Sequence, residues 1–202
     1  MLVGPKYKIC KRLGASVFEK CQTQKFQLAE ARAPRKIPRG RRGGSDYGTQ
    51  LLEKQKARFT YGLSESQFSG YVKDAIAQKG AAASGLLARL ESRLDNVVYR
   101  AGFTATRRAA RQLVSHGHVM VGGRRVNIPS LRVQKGDTVS VRPESRGSAL
   151  FANRSEKMSE TKPPQWMRFA EEGFAVVIEE DPQMSETEAP FSAPVVVQFY
   201  SR

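Results

Sequence analysis

The chain has 202 residues, enough for one or two domains around a core of moderate size, and 40% of them are apolar. Its net charge is +15 with a pI of about 10.2, which favours nucleic acid or another polyanion as partner. No apolar run approaches the ~18 residues of a membrane span, no signal-peptide core follows Met1, and two cysteines argue against a secreted disulfide scaffold and for a reducing compartment.

The charge is unevenly spread. Residues 1–50 carry 12 Lys/Arg against 3 Asp/Glu, a net of +9, while residues 51–90 carry +3, 91–150 carry +7 and 151–202 carry −4. Such segregation predicts that one side of the molecule lies on phosphate and that the acidic end stays away from it. Residues 1–44 are basic, poor in apolar side chains and rich in Pro and Gly toward their end (Pro34, Pro38, Gly40, Gly43, Gly44). They are expected to form an extended segment that orders on its partner.

A helical pattern begins at Ser45, and Thr49 to Tyr61 reads as a helix closed by Gly62. Ser64 and Gln67 have the spacing of a capping box, with Leu63 and Phe68 placed for a hydrophobic staple. The stripe Phe68, Val72, Ala75 and Ile76 then runs to Gly80. Ser84 is read as the cap of a third helix, Leu86 to Ala101, stopped by Gly102. Its inward face is Leu87, Leu90, Leu94, Val97, Val98 and Ala101, and its polar face Arg89, Arg93, Asn96 and Arg100.

The next helix runs from Arg107 to His116, with Thr106 as its cap and Gly117 ending it in a left-handed turn. At about 100° per residue, Ala109, Ala110, Leu113 and Val114 fall on one half. Arg107, Arg108, Arg111, Gln112 and Ser115 fall on the other. No acid interrupts these arginines, whereas a face serving only solubility mixes both signs. The alanines opposite are too small for a helix that lies on a membrane.

Alternation follows. His118 to Val121, a Gly122-Gly123 turn and Arg124 to Ile128 read as a hairpin with Val119, Val121, Val126 and Ile128 inward. Thr138 to Val141 is a further strand after a Gly136-Asp137 turn. Phe174 to Ile178 and Val195 to Tyr200 also read as strands, separated by a Ser/Glu/Pro-rich linker.

Three stretches of this sequence resemble a known module: Arg93-Leu94-Asp95-Asn96-Val97-Val98-Tyr99-Arg100, Arg111-Gln112-Leu113-Val114-Ser115-His116 and Val126-Asn127-Ile128. The module is the RNA-binding unit of the bacterial small-subunit ribosomal protein S-four family, a helix–helix–sheet unit also found in some RNA-modifying enzymes. Ser45-Asp46-Tyr47-Gly48, Glu53-Lys54-Gln55-Lys56, Tyr61-Gly62 and Gln67-Phe68 resemble that family's helical domain, and Val196 to Arg202 its closing strand.

The resemblance implies an α+β fold. It places an all-helical domain at 45–92, completed by about 191–202, and an inserted helix–helix–antiparallel-sheet RNA-binding module at 93–143. A basic extended segment at 1–44 precedes them, and strands and linker at 144–190 pack on the module. It further implies a structural constituent of the small ribosomal subunit in a bacterial cytoplasm. The expected role is that of a primary binder of small-subunit (16S) rRNA that nucleates assembly, lines the path of incoming mRNA and contributes to translational accuracy. Neighbouring small-subunit proteins and mRNA are the further expected partners.

Charge and resemblance together assign the RNA contacts. In the N-terminal segment these are Lys6, Lys8, Lys11, Arg12, Arg35 and Lys36, with Arg39, Arg41 and Arg42 toward the mRNA path. The helical domain supplies Tyr47, Lys54, Lys56 and Arg58. The module supplies Arg93, Asn96, Arg100, Arg107, Arg108, Arg111, Gln112, His116, Arg124 and Arg125. Arginine suits the role because its planar fork bridges phosphate oxygens and stacks on unpaired bases.

Catalysis finds little support. Ser92-Arg93-Leu94-Asp95 comes close to the Gly-Arg-Leu-Asp of pseudouridine synthases that share the module, but about 60 residues after it are too few for a uridine pocket. Asp95 is expected to pair with a neighbouring arginine instead, and no Ser/Cys–His–carboxylate set is visible. Some members of the family bind zinc through four N-terminal cysteines. Here only Cys10 falls on that pattern, Tyr7 stands three residues before it and Cys21 is read as out of register. Tetrahedral zinc needs four ligands, so neither a metal nor another cofactor is expected. Purified protein should carry far less than one zinc per chain, and a chelator should leave its melting unchanged; stoichiometric zinc by elemental analysis would overturn this reading.

Overall fold

The computed structural model describes residues 4–32, 45–78, 80–148, 150–151, 163–170, 173–185 and 188–201. It is an α+β fold in two compact units. One comprises the described residues up to Leu86 together with those from Ser185 onward, and the other spans Leu87–Met184.

The first unit opens with α1 (Lys6–Leu13), a 3-10 turn (Glu19–Gln22) and α2 (Gln24–Arg32), where the sequence suggested an extended chain. Its reason is local. Cys10, Phe18, Cys21 and Phe26 form a small core of their own, with Ile9 and Phe59 packed against it. A disulfide joins Cys10 to Cys21, where the cysteine count pointed to a reducing compartment. Tyr7 stacks on Phe26 with ring centroids 5.2 Å apart. Low apolar content averaged over the whole segment concealed this cluster.

Next come α3 (Asp46–Tyr61), which starts three residues before the expected Thr49, and α4 (Glu65–Ala77), with Ser64 as its expected cap. The Ser45 hydroxyl accepts from the Gly48 amide and that of Ser64 from the Gln67 amide. Gly62 closes α3 in the left-handed region at φ 64°. Leu63, Phe68, Val72 and Ala75 are buried, but Ile76 is exposed. Val195–Tyr200, expected as a strand, lies in a helix, α9 (Ala193–Tyr200), with Pro194 in its first turn. Three consecutive valines gave the strand signal, yet Ala193, Val196, Val197 and Tyr200 also have helical spacing, and packing against α3 and α4 selects the helix.

Glu65 ties three helices together. Its carboxylate accepts from Lys54 Nζ at 2.6 Å, Arg58 Nη1 at 3.0 Å and the Tyr200 hydroxyl at 2.8 Å. Partial burial alone would raise its pKa. Hydrogen bonds from Lys54 and Tyr200, and the charges of Lys54 and Arg58, outweigh that effect and hold it below the ordinary 4.5. Tyr200 is pushed upward, first by burial and then by the carboxylate it donates to.

The second unit begins within α5 (Ala82–Glu91) and continues with α6 (Leu94–Arg100) and α7 (Arg107–Ser115). The single helix expected from Leu86 to Ala101 is therefore two. Ser84, read as a cap, lies inside the first turn of α5 and donates to the Ala81 carbonyl. The break has a clear cause. Arg93 is extended and forms a β-bridge with Arg132. The amides of Leu94 and Asp95 donate to the carbonyls of Leu131 and Pro129, and the Val133 amide donates to the Ser92 carbonyl. The 129–133 loop thus satisfies donors at the start of α6 that a continuous helix would have paired within itself.

β1 (Val119–Val121), β2 (Arg124–Val126), β3 (Thr138–Val141), a short α8 (Pro143–Arg146), β4 (Met167–Ala170) and β5 (Ala175–Ile178) complete this unit. The strands form one antiparallel sheet in the order β2-β1-β3-β5-β4. Val119, Val139, Val141, Val176 and Ile178 join Leu94, Val97, Val98, Ala110, Leu113 and Val114 in a single core. Phe151, Trp166 and Met167 belong to that core too, so residues beyond 144 help build it. Ile128, expected inward, is 55% exposed because β2 ends at Val126 and the chain turns, with the Leu131 amide donating to the Ile128 carbonyl.

One consequence is measurable. The Glu65 carboxylate stabilises the fold above its unfolded pKa, and that contribution is lost as the pH falls through its lowered folded value. The melting-temperature gap between the parent and Glu65→Gln should therefore be widest above about pH 4.5 and shrink on acidification. A pH-independent gap would show that the carboxylate is not the tie.

Candidate nucleic-acid interface

Among the described residues, α7 carries the densest run of arginines, and it begins and ends cleanly. The Thr106 hydroxyl accepts from the Ala109 amide at 3.0 Å, and Gly117 turns the chain at φ 74°. Ala110, Leu113 and Val114 are buried, while Arg108, Gln112, Ser115 and His116 are exposed and Arg107 and Arg111 half-buried. Ala109, expected toward the core, is exposed, so the apolar stripe is narrower than the wheel suggested.

Arg107 is held in place. Its guanidinium sits 4.3 Å above the Tyr99 ring centroid, and its Nε donates to Asn96 Oδ1 at 2.9 Å. The β1–β2 turn, Gly122-Gly123 with both φ positive, leads into β2, whose Arg124 and Arg125 are exposed, and brings Arg125 to the end of α7. Arg125 donates to the carbonyls of Gly117 and His116 at 3.1 and 3.3 Å. It places a cation at the negative end of the α7 dipole. The positive φ is what requires glycine at 117, and a Cβ there would also displace the Arg125 guanidinium. Between Arg107 and Val126 the sequence contains no Asp or Glu.

Other expected contacts face inward. Arg93 is 2% exposed and grips Asp95 with Nε at 3.0 Å and Nη2 at 2.6 Å, the pairing anticipated for Asp95. Because the chain is extended at Arg93, its side chain leaves the polar face and is unavailable to a phosphate. Asn96, also 2% exposed, donates to Glu91 Oε2 at 3.0 Å. Arg100 keeps an exposed edge but pairs with both Glu91 oxygens.

On α3, Lys54 is 7% exposed, bonded to Glu65, and stacked 4.8 Å above the Phe199 ring centroid. It too is committed to the fold rather than to a ligand. Lys56 pairs with Glu53 and Arg58 with Glu65, both half-buried. Tyr47 is exposed beside Phe199. On α1, Lys8, Lys11 and Arg12 are exposed, whereas Lys6 is half-buried over Phe18. Arg35, Lys36, Arg39, Arg41 and Arg42 lie outside the described residues.

Two groups escaped the sequence reading. Arg132 is exposed on the loop that pairs with Arg93. Glu91 is fully buried, and it stood in the inward register with Leu87, Leu90 and Leu94, where an acid demands a partner. Among the described residues, no three His, Cys, Asp or Glu side chains gather to hold a metal. No helix among them is long and apolar enough to cross a membrane.

The family described as "Ribosomal protein S4/S9 N-terminal domain" matches residues 1–91, and the family described as "S4 domain" matches residues 92–139. These matches define a ribosomal protein, a structural component and not an enzyme. Similar proteins include "Small ribosomal subunit protein uS4" of Roseiflexus castenholzii, 43% identical over 209 residues spanning 99% of this chain and 98% of the relative. Proteins of the same name from Natranaerobius thermophilus and Geobacter sp. (strain M21) are 42% and 40% identical, each across 98% of both chains. This chain belongs to the uS4 family of small-subunit ribosomal proteins.

The division between core and surface on α7 predicts opposite outcomes for neighbouring substitutions. Leu113→Ala should cost about 2–5 kcal/mol of folding stability. Arg108→Ala should stay within about 0.5 kcal/mol of the parent. Denaturant titration followed by Trp166 fluorescence measures both.

Proposed function

We propose that the protein is a primary binder of small-subunit (16S) rRNA in the bacterial cytoplasm. Its binding nucleates subunit assembly, and in the finished particle it lies beside neighbouring ribosomal proteins. It borders the path of incoming mRNA and thereby contributes to translational accuracy. The observation that carries the RNA assignment is the α7 face. Arg107, Arg108 and Arg111, followed in sequence by Arg124 and Arg125 on the hairpin, stand in a stretch without a single acid, while Lys54, Arg58 and Arg93 are committed to internal carboxylates. Such a face meets the backbone of a folded RNA electrostatically, and its guanidinium planes can stack on unpaired bases.

Binding of a folded small-subunit rRNA fragment should fall by about 10³-fold or more between about 50 and 200 mM salt, the response of a site that neutralises roughly six phosphates. Arg108→Ala and Arg111→Ala should each weaken binding, and glutamate at both positions should weaken it further. A flat salt dependence, or equal affinity for duplex DNA of the same length, would sink the assignment. In cell lysate the protein should sediment with small ribosomal subunits even at high salt.

A further inference from the structure

Glu91 is a fully buried carboxylate that cannot touch RNA and has the wrong charge to attract it. Burying it is costly unless every lone pair finds a donor. Leucine there would simply extend the Leu87, Leu90 and Leu94 face. Glu91 instead gathers donors. Arg100 approaches two-pronged, Nε at 2.9 Å from Oε2 and Nη2 at 3.2 Å from Oε1. Asn96 donates its amide to Oε2 at 3.0 Å and to the Glu91 carbonyl at 3.3 Å.

The second contact has a directional consequence. An ionised carboxylate only accepts, so Asn96 must present its NH2 to it and turn Oδ1 the other way. That oxygen is the one that accepts from Arg107 Nε at 2.9 Å. With the amide reversed, NH2 would face N–H and the Arg107 contact would be repulsive. Tyr99, beneath the Arg107 plane, fixes the remaining orientation.

We propose that Glu91 is a positioning residue for RNA binding. It orients Arg100 directly and Arg107 through Asn96, so that both guanidinium groups meet the RNA in fixed geometry rather than as mobile charges. This inference rests on the RNA-binding reading of the α7 face. Preorganisation of this kind strengthens binding by reducing the ordering cost at association.

Charge alone makes the contrary prediction. Glu91→Gln raises the net charge of the protein by one and should tighten RNA binding if Glu91 were electrostatically passive. The positioning role requires the reverse. Full-length Glu91→Gln should fold, as reported by Trp166 fluorescence, yet bind the rRNA fragment about tenfold more weakly at fixed salt. In Asn96→Ala, which removes the oxygen that accepts from Arg107, the NMR signal of the Arg107 Nε–H should lose its hydrogen-bonded shift. In an Arg100→Ala/Arg107→Ala background, Glu91→Gln should cause no further loss. If Glu91→Gln does not fold, Asn96→Ala isolates the Arg107 arm and should show the same lost signal with weakened binding.

Unchanged or tighter binding by folded Glu91→Gln, or by Asn96→Ala where that variant serves, overturns the positioning role while Arg100→Ala and Arg107→Ala still weaken binding. If those two arginine variants bind like the parent, the RNA reading of the face is overturned, and the positioning role with it.

Discussion

The RNA-facing module depends on a break in the backbone at Arg93. There a helix that could have continued stops for two residues, Ser92 and Arg93, pairs through Arg93 with Arg132, and restarts with its first donors bonded to the Pro129 and Leu131 carbonyls. This exchange links α5, α6 and the loop before β3 into one frame. The Arg93 side chain is drawn inside with Asp95, a pair whose burial is tolerable only because the geometry is two-pronged. With the chain redirected, α6 offers Val97 and Val98 to the core, and Asn96 comes to lie between Glu91 and Arg107.

The arrangement separates the basic residues into two populations. Arg93, Lys54, Lys56 and Arg58 hold carboxylates within the protein, and Arg100 holds one while keeping an exposed edge. Arg108 and Arg124 stand at the surface of a stretch with no acid of its own. Net charge therefore overstates how many phosphates the protein can neutralise. A basic protein must also keep its own cations from repelling one another within a small core, and buried carboxylates at Glu91 and Asp95 do this for the module.

Much of the architecture could be read from local chemistry. Ser45, Ser64 and Thr106 cap helices as their side chains suggest, and Gly62 and Gly117 end the turns that need a positive φ. The β1–β2 hairpin and β3 follow from alternation and glycine turns. What stayed hidden depends on partners distant in sequence. Nothing local in Ser92-Arg93 says that a loop forty residues on will interrupt the helix. The valines of α9 favour a strand until α3 and α4 supply a groove for a helix. On α6, helical periodicity put Arg93 and Asn96 outside, because it assumed one unbroken axis. The warning was Glu91, an acid in an apolar register.

The tie between Glu65 and Tyr200 also bears on the order of folding during synthesis. The hydroxyl that completes the carboxylate's shell lies 135 residues downstream, and the Ser192 amide that meets Glu53 lies 139 residues downstream. α3 and α4 therefore leave the translating ribosome long before the helix they pack against exists, while the whole Leu87–Met184 unit is made in between. Contacts inside that unit close shorter loops and form first. The helical unit must wait with Phe68 lacking its Tyr200 neighbour, so the part of the protein that emerges early is among the last to be finished.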